Sequence, residues 1–461
     1  MVVTKNFLWM SISAVLLLLA ACKDPYYDRV KEVVDTAKAK GNLTNNINQP
    51  PTFSVPGGRL GNTDSIGLFP TTSGSRIAYT LDGTDPTSDG LGTITHGTPY
   101  TAPFMPPYGT FVVKAIAYQA GLADSDVVSQ SYHKDLFLYS MDVSGIGVDV
   151  FSLNPATGAL SHTSTFGLPT PPGGMAINST GTMMFLTAPA MSKILGFTID
   201  PLTGALTTNG TPGAALNPGA ICVRSLNDAL YVASPTSVNI QACTIGAGGS
   251  LTVLSTVTAG PATVALVSDV NSKFLYAATG SGGFIFGYSL TAAGIPAIVP
   301  GSPFAASGSP TYVTIDPAGA HLYESDDLTG LVRFWNINSV TGSLTPISGI
   351  PYIGVTANPE KIAIDPAGKY LYVTDSVANH VVMARIAADG TLTTGGWVYP
   401  TGAQPKGVFV DPSGKFVCVA NSGSSSISVF SLDPATGFLT PAGTYPSALP
   451  DPVDILITGT H

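Results

Sequence analysis

The sequence predicts an all-β protein in which a seven-bladed β-propeller follows a small immunoglobulin-like β-sandwich. A strand–turn–strand unit recurs every 43–49 residues through the last two thirds of the chain, a period typical of propeller blades. Residues 134–461 contain seven candidate first strands and seven candidate second strands, enough for seven blades. Residues 51–133 contain short apolar stretches between Gly, Pro and Asp turns without a helical period, which favours a sandwich.

The repeat is clearest in residues 359–375, which predict two strands joined by a turn at Asp365-Pro366-Ala367-Gly368. Asp can accept hydrogen bonds from its own turn, Pro presets φ, and Gly accepts the positive φ that closes the hairpin. Each copy begins with a proline. The seven leading prolines are Pro172, Pro218, Pro261, Pro310, Pro359, Pro405 and Pro452.

The two ends of residues 134–461 predict how the ring closes. The segment starts with a second strand at Leu136 and finishes with a first strand, Pro452 to Ile457. We therefore expect the C-terminal strand to complete blade one and to leave no open sheet edge at the seam.

The N-terminus has the pattern of an exported precursor. Lys5 precedes an apolar run at residues 12–19, and small residues lead to Cys22. This arrangement resembles the lipobox of bacterial lipoproteins, which implies a signal peptide at 1–21, a diacylglyceryl thioether on Cys22 and anchoring in a membrane. Lys23 after the cysteine favours the outer membrane, with the protein facing the periplasm or the cell surface. Residues 22–50 then form a tether that can contain a short helix; the alternative is an ordinary signal peptide with an incidental cysteine.

The composition excludes some functions. Charged residues make up 10% of the chain, acids outnumber bases by 28 to 19, and no run of Lys or Arg exists, so nucleic-acid binding is not expected. No cofactor motif is present. Cys222, Cys243 and Cys418 have no metal-type spacing and fall on separate strands, so they are expected to be unpaired and buried.

Residues 51–133 also resemble a known accessory domain. The run Ile77-Ala-Tyr-Thr-Leu-Asp-Gly-Thr-Asp-Pro-Thr87 is similar to the C-terminal domain of chitobiases and β-hexosaminidases. That domain accompanies a catalytic barrel in its own family. The resemblance implies no hydrolase here, because no barrel accompanies it.

The propeller repeat resembles the seven-bladed lactonase-like and YncE-like propellers. The residues that carry the resemblance are 364–373, 410–419 and the Thr-Gly-x-Leu hairpins. Some members hydrolyse sugar lactones such as phosphogluconolactone with polar and basic residues around the central opening. This chain instead begins its first strands with sequences such as Pro172-Gly-Gly and Pro218-Gly-Ala, and none of its six histidines lies at these positions.

Polar residues at one end of the blades predict a candidate binding face. The starts of first strands and the ends of second strands of a propeller meet at the same face. The residues there are Glu360, Lys361, Asp375, His380, Lys406, Asn421, Asp454 and Asp142. Glu324, Asp326 and Asp327 form an acidic group that is a weak candidate for a cation site. The alternative for both groups is solvated loop charges in weak ion pairs.

Two functions remain open. The first is a non-catalytic, envelope-anchored module whose propeller binds a protein, peptide or glycan, and it is favoured because no Gly-x-Ser-x-Gly elbow, His-Glu-x-x-His helix or P-loop is present. The alternative is an extracytoplasmic hydrolase of the lactonase type, which rests on the resemblance alone.

Overall fold

The computed structural model describes residues 47–61, 63–210, 213–214, 217–236, 238–306, 308–347, 352–354 and 358–458. The predicted signal peptide, Cys22 and most of the tether lie outside these residues. The chain separates into two compact units, Met1–Lys134 and Asp135–His461. In the described part of the chain, no helix is long and apolar enough to cross a bilayer.

The N-terminal unit is built from short strands around a five-stranded sheet. In this sheet the order is β2-β9-β8-β4-β7, with a parallel β2–β9 pair and antiparallel pairs elsewhere. β1 pairs with β3, and β5 pairs with β6. Alternate apolar residues of β8 and Tyr132 of β9 pack on Leu60, Ile66 and Leu68 as the core of this small sandwich. The strands are β1 (Thr52–Phe53), β2 (Gly58–Leu60), β3 (Leu68–Phe69), β4 (Arg76–Thr80), β5 (Thr87–Ser88), β6 (Ile94–His96), β7 (Thr98–Pro99), β8 (Gly109–Tyr118) and β9 (Val128–Lys134).

The second unit contains seven antiparallel sheets, one for each blade, and confirms the predicted seven-bladed propeller. Blades one to three comprise β10 (Leu136–Asp142), β11 (Gly147–Leu153), β12 (Leu160–Gly167), β13 (Gly174–Ile177), β14 (Met183–Ala188), β15 (Lys193–Ile199), β16 (Leu206–Thr208), β17 (Gly213–Ala214), β18 (Ile221–Val223), β19 (Ala229–Ala233), β20 (Asn239–Ile245) and β21 (Leu251–Thr258). Blades four and five comprise β22 (Thr263–Ser268), β23 (Phe274–Thr279), β24 (Phe284–Leu290), β25 (Pro296–Ile298), β26 (Phe304–Ala305), β27 (Pro310–Ile315), β28 (His321–Asp326), β29 (Leu331–Ile337), β30 (Leu344–Pro346) and β31 (Tyr352–Gly354). Blades six and seven comprise β32 (Pro359–Ile364), β33 (Tyr370–Asp375), β34 (His380–Ile386), β35 (Leu392–Thr393), β36 (Val398–Pro400), β37 (Pro405–Val410), β38 (Phe416–Asn421), β39 (Ser426–Leu432) and β40 (Leu439–Pro446), and β41 (Pro452–Ile457) is the last strand of the chain.

The C-terminal strand β41 pairs with β10, so the first and last strands of the unit share blade one. Asp149 on β11 also links blade one to the segment that follows blade seven. Its Oδ2 accepts hydrogen bonds from the backbone N–H groups of Ala448 and Leu449 at 2.8 and 3.0 Å. Each first strand contacts the first strands of its two neighbours, which gives a closed ring of seven around the axis.

The Asp-Pro turns form as their residues predict. Asp365 Oδ1 accepts hydrogen bonds from the N–H groups of Lys369 and Tyr370, both at 2.6 Å. Asp411 makes the same pair of bonds in blade seven, to Lys415 and Phe416 at 2.7 and 2.6 Å. A carboxylate held by backbone donors in this way fixes the hairpin between the first two strands of a blade.

A buried tyrosine joins neighbouring blades at five places. Each lies on a second strand and donates its hydroxyl to the carbonyl of a glycine in the next blade's hairpin between third and fourth strands, so side-chain bonds tie the ring together. The pairs are Tyr139–Gly204, Tyr231–Gly294, Tyr276–Gly342, Tyr323–Gly390 and Tyr372–Gly437. Phe185 and Cys418 take the tyrosine's place in blades two and seven.

The three cysteines of the propeller are unpaired. Cys243 and Cys418 are buried as predicted, whereas Cys222 is only half-buried. Burial raises the pKa of the Cys243 thiol to about 11, so this thiol is protonated and inert at neutral pH.

Candidate functional site

The seven first strands surround a central channel that contains two cavities. An upper cavity of 260 Å³ lies where the first strands begin and is lined by residues such as Gly174, Ala220 and Val264. A lower cavity of 430 Å³ lies toward the Asp-Pro turns. Four residues contribute to the lining of both cavities: Tyr312, Lys361, Asp454 and Leu456. The two spaces therefore meet at a polar group in the middle of the channel.

Lys361 and Asp454 form a direct ion pair across this channel. Their side chains are 25% and 9% exposed. The Lys361 ammonium also lies 5.2 Å from the centre of the Tyr312 ring, within reach of a cation–π interaction. Burial is the largest single effect on the pKa of Lys361 and lowers it, but the charge and hydrogen bond of Asp454 together with Tyr312 and Glu360 raise it further, so the pKa lies above its ordinary value and the lysine stays charged. Burial likewise raises the pKa of the Tyr312 phenol, which stays protonated.

The repeat itself explains this meeting. Tyr312, Lys361 and Asp454 are each the third residue of a first strand, counted from the leading proline. In blade seven the equivalent residue is Gly407, and a Cβ there would lie 2.9 Å from the Asp454 Cα. The glycine lets β41 approach β37 closely and leaves no side chain between Lys361 of blade six and Asp454 of blade one. Lys361 can therefore reach across blade seven.

Glu360 and Lys406 occupy the second position of their strands, at the mouth of the channel. Glu360 lines the upper cavity, and its Oε1 accepts hydrogen bonds from Asn358 Nδ2 at 3.1 Å and Ser376 Oγ at 3.0 Å. Lys406 is half-buried, and its backbone carbonyl accepts a hydrogen bond from Thr374 Oγ at 2.8 Å. Four of the predicted face residues, Glu360, Lys361, Lys406 and Asp454, thus lie at or just inside the mouth.

The other predicted face residues do not offer their polar atoms to a ligand there. Asp375, Asn421 and Asp142 are 0%, 0% and 1% exposed. Asp375 Oδ1 accepts hydrogen bonds from two backbone N–H groups of the next turn at 3.0 and 2.8 Å. Asp142 accepts from the N–H groups of Gly145 and Asp451, and Asn421 Nδ2 donates to Ser428 Oγ at 3.0 Å. These three side chains are therefore engaged within the fold, and a binding role for them stays a prediction.

His380 belongs with this group. It begins the third strand of blade six, and its Nε2 lies 4.0 Å from Asp375 Oδ2. The imidazole therefore borders the hairpin that Asp375 holds, and it is absent from the lining of both cavities in the channel.

The acidic group of blade five surrounds an arginine. Glu324 and Asp326 are fully buried, and Arg333 Nε lies 3.6 Å from Glu324 Oε1 and 3.9 Å from Asp326 Oδ2. Trp335 Nε1 donates to Glu324 Oε2 at 3.2 Å. Burial raises the pKa of Glu324 to about 8, although the charge of Arg333 works against this increase.

At Glu324, Asp326 and Asp327, the weak candidates for a cation site, this geometry places an arginine among the carboxyl groups. Two of the carboxyl groups face the Arg333 guanidinium, and Asp326 Oδ1 accepts from the N–H groups of Leu328 and Thr329. Asp327 lies in the half-buried hairpin beyond them. Across the described ranges, no group of three or more His, Cys, Asp or Glu side chains is placed to hold a metal ion.

Sequence reasoning did not single out Tyr312 or Gly407. Alignment of the seven copies by their leading proline places both at the channel-facing third position, together with Lys361 and Asp454. Comparison of that one position across the blades identifies both residues. A glycine there, between two blades that carry opposite charges, leaves room for the charged side chains to meet.

Two family models match parts of the chain. Residues 285–457 match the family described as "Lactonase, 7-bladed beta-propeller", and residues 66–132 match the family described as "Fn3 associated". The first match covers the outer strands of blade four, blades five to seven and the strand that completes blade one. The propeller is therefore similar to the lactonase family over this part. The resemblance of the sandwich to the chitobiase C-terminal domain stays a prediction.

Solved structures match the propeller as a whole. A protein from Bacteroides uniformis described as a candidate 6-phosphogluconolactonase is 20% identical, with 70% of this chain and 100% of that chain covered and a TM-score of 0.62. The periplasmic gluconolactonase of Pseudomonas aeruginosa is 18% identical, with 71% and 100% covered and a TM-score of 0.61. A Lactobacillus plantarum protein is 18% identical, with 70% and 99% covered and a TM-score of 0.62. At these identities the likeness shows the fold. No curated protein matches the chain.

Proposed function

We propose that the propeller hydrolyses an uncharged lactone at the Lys361–Asp454 ion pair. The observation that carries the proposal is a charged, hydrogen-bonded pair at the junction of two channel cavities. The similarity of residues 285–457 to the lactonase family supports lactone chemistry over the binding role that the sequence alone favours.

The pair supplies the two groups that ester hydrolysis needs. The Lys361 ammonium has three donors, so it can hold Asp454 and also donate to the lactone carbonyl oxygen, where negative charge develops. The Asp454 carboxylate accepts a proton from a water that attacks the carbonyl carbon. The ring C–O bond then breaks, the leaving alkoxide takes that proton from Asp454, and a hydroxy acid is released. The Tyr312 ring forms one wall of the site.

The charges argue for an uncharged substrate. A phosphorylated sugar needs several cations free to bind it, whereas the arginines of the propeller are engaged away from the channel. Arg224 donates to the carbonyls of Ser272 and Thr291, Arg333 faces Glu324, and Arg385 stacks on Trp397 at 4.7 Å. Lys361 is already neutralised by Asp454.

The test is ring opening of δ-valerolactone and glucono-δ-lactone, followed at constant pH against the spontaneous rate. Loss of an oxyanion donor typically costs about 10²–10³ in rate, so Lys361→Met and Asp454→Asn should lose at least that factor. Lys369→Met is the matched control, because Lys369 is exposed and lines neither cavity. Wild-type turnover that survives both channel substitutions would refute the site, and the absence of turnover would refute the activity.

A non-catalytic binding role for a protein, peptide or glycan is the second candidate. Among the described residues, no histidine lines either cavity, and Lys361 and Asp454 neutralise each other. A channel of this kind can hold an uncharged ring without opening it. Binding of an uncharged oligosaccharide by calorimetry, with no turnover of the lactones, would favour this candidate.

The location of the protein is a separate proposal that rests on the sequence. We propose that Cys22 carries the lipid anchor in the outer membrane, because an apolar run and small residues lead directly to it. Metabolic labelling with a fatty acid, followed by membrane fractionation, tests this. Cys22→Ser should abolish both the label and the sedimentation with membranes, and a label that persists in this variant would contradict the anchor.

A further inference from the structure

The lower cavity of the channel differs from the upper one in its chemistry. Its 430 Å³ lie within the range of about 300–1,000 Å³ of small-molecule pockets. Aliphatic and aromatic residues from five blades form most of its wall. They are Val267, Val270, Ile315, Ile362, Ala363, Ile364, Val408, Phe409, Val410, Ile455 and Leu456. Beside the shared polar group, the hydroxyl-bearing residues of the wall are Ser268 and Thr314.

The cavity is reached from the side of the Asp-Pro turns. Val270 is 46% exposed, and Pro317 and Pro366 are exposed at the same end. At its inner end the cavity stops at Tyr312, Lys361 and Asp454. It is therefore an apolar tube with a solvent-exposed rim and one polar end inside the protein.

A ligand that matches this tube has a polar ring at one end and an aliphatic chain at the other. A sugar ring in the tube would lose hydrogen bonds to water that valines and isoleucines cannot replace. A methylene chain gains from leaving water and loses nothing. A chain alone would leave the ion pair without a polar partner on the ligand.

We propose, on the basis of the proposed function, that the substrate class is alkyl-substituted lactones, with the ring at Lys361 and Asp454 and the alkyl chain in the lower cavity. The ester of the lactone ring then contacts the Lys361–Asp454 pair, and the affinity depends on the length of the alkyl chain. Specificity comes from the apolar wall, since the ion pair is common to every lactone.

The experiment measures Kd by calorimetry for δ-lactones that carry methyl, propyl and pentyl substituents, with the full mature chain. Transfer of a methylene from water stabilises by a constant amount, so affinity should rise about fourfold for each added methylene. Val267→Phe places a ring in the lower cavity and should flatten this series. Val340→Phe is the matched control, because Val340 is 86% exposed in a hairpin of blade five, and it should keep the wild-type slope.

The outcomes separate the two proposals. If the Kd of the wild type does not change with chain length, or if Val267→Phe keeps the wild-type dependence on chain length, the alkyl site is overturned even if lactones are hydrolysed. An affinity that rises about fourfold for each methylene, without hydrolysis, supports the alkyl site and refutes the hydrolase activity. Ile364→Phe is a second variant of the same wall in case Val267→Phe does not fold, with folding checked by near-ultraviolet circular dichroism.

Discussion

Replacement of Asp454 by Asn tests the central ion pair most directly. Asn keeps the shape of the side chain and the Oδ1 that accepts from the Ile455 N–H at 2.8 Å. What it removes is the negative charge beside Lys361. The ammonium then lies in the channel without its counter-charge.

The size of the effect follows from burial. Removal of one partner of a buried pair costs about 3–5 kcal/mol, and because Lys361 is 25% exposed we expect the lower end, about 3 kcal/mol. At an unfolding entropy of about 2.1 cal/mol/K per residue, this free energy lowers the Tm of a unit as large as Asp135–His461 by about 4 °C.

The pH dependence has a defined sign. Burial lowers the pKa of Lys361 and the charge of Asp454 raises it, with a net pKa above 10.5 in the folded protein. The wild-type pair therefore contributes stability that is fully present below 10.5 and is lost as pH rises through the folded pKa. Asp454→Asn removes the contributions of the Asp454 carboxylate, while burial, the largest single effect, stays, so the pKa of Lys361 is lower in the variant than in wild type. The deficit in the variant should then narrow at alkaline pH.

The assay is thermal unfolding of wild type, Asp454→Asn, Lys361→Met and the double variant. Removal of both charges leaves no buried unpaired ion, so the double variant should recover most of the lost Tm. A single variant as stable as wild type, or single effects that simply add in the double variant, would refute the pairing on which the proposed site depends.

Three further predictions concern the fold around the channel. Tyr276→Phe leaves the buried Gly342 carbonyl without its donor and should lower the unfolding free energy by about 1–3 kcal/mol in denaturant titrations; no change would show that the tyrosine bond adds nothing to the ring. Burial raises the pKa of Glu324 to about 8 from 4.5, so the folded state keeps a proton that the unfolded chain releases. The stability of the wild type should therefore fall as pH rises from about 4.5 to 8, and Glu324→Gln should remove this pH dependence. Equal pH dependence of stability in the two proteins would contradict the raised pKa. Truncation before Pro452 removes β41 and exposes the edge of β10, so the truncated chain should aggregate or lose cooperative unfolding, and a monomer with wild-type Tm would contradict closure by this strand.

The fold was predictable because it is repetitive. Blades five to seven repeat the same local chemistry, an Asp-Pro turn between two apolar strands, and the structure forms it as expected at Asp316, Asp365 and Asp411. Local turn bonds and alternate burial act within a few residues, so one sequence is enough to read them. Seven sheets result, as the count of strands predicts.

The site was predictable only in part. A place at the start of a first strand predicts Glu360, Lys361, Lys406 and Asp454, and these residues lie at or just inside the channel mouth. Asp375, Asn421 and Asp142 have equally polar side chains at strand ends, but those side chains are buried and bond to neighbouring groups inside the fold. The residue type cannot distinguish a capping carboxylate from an accessible one, because only the direction of the side chain differs.

By itself, then, the sequence determined the strands, the turns and the number of blades, all of which depend on contacts close along the chain. The tertiary structure alone decided that Lys361 of blade six meets Asp454 of blade one across Gly407 of blade seven. It also decided that Glu324 and Asp326 both face the guanidinium of Arg333. The physical reason is that these contacts depend on the curvature of the closed ring, which brings together positions that no local pattern relates.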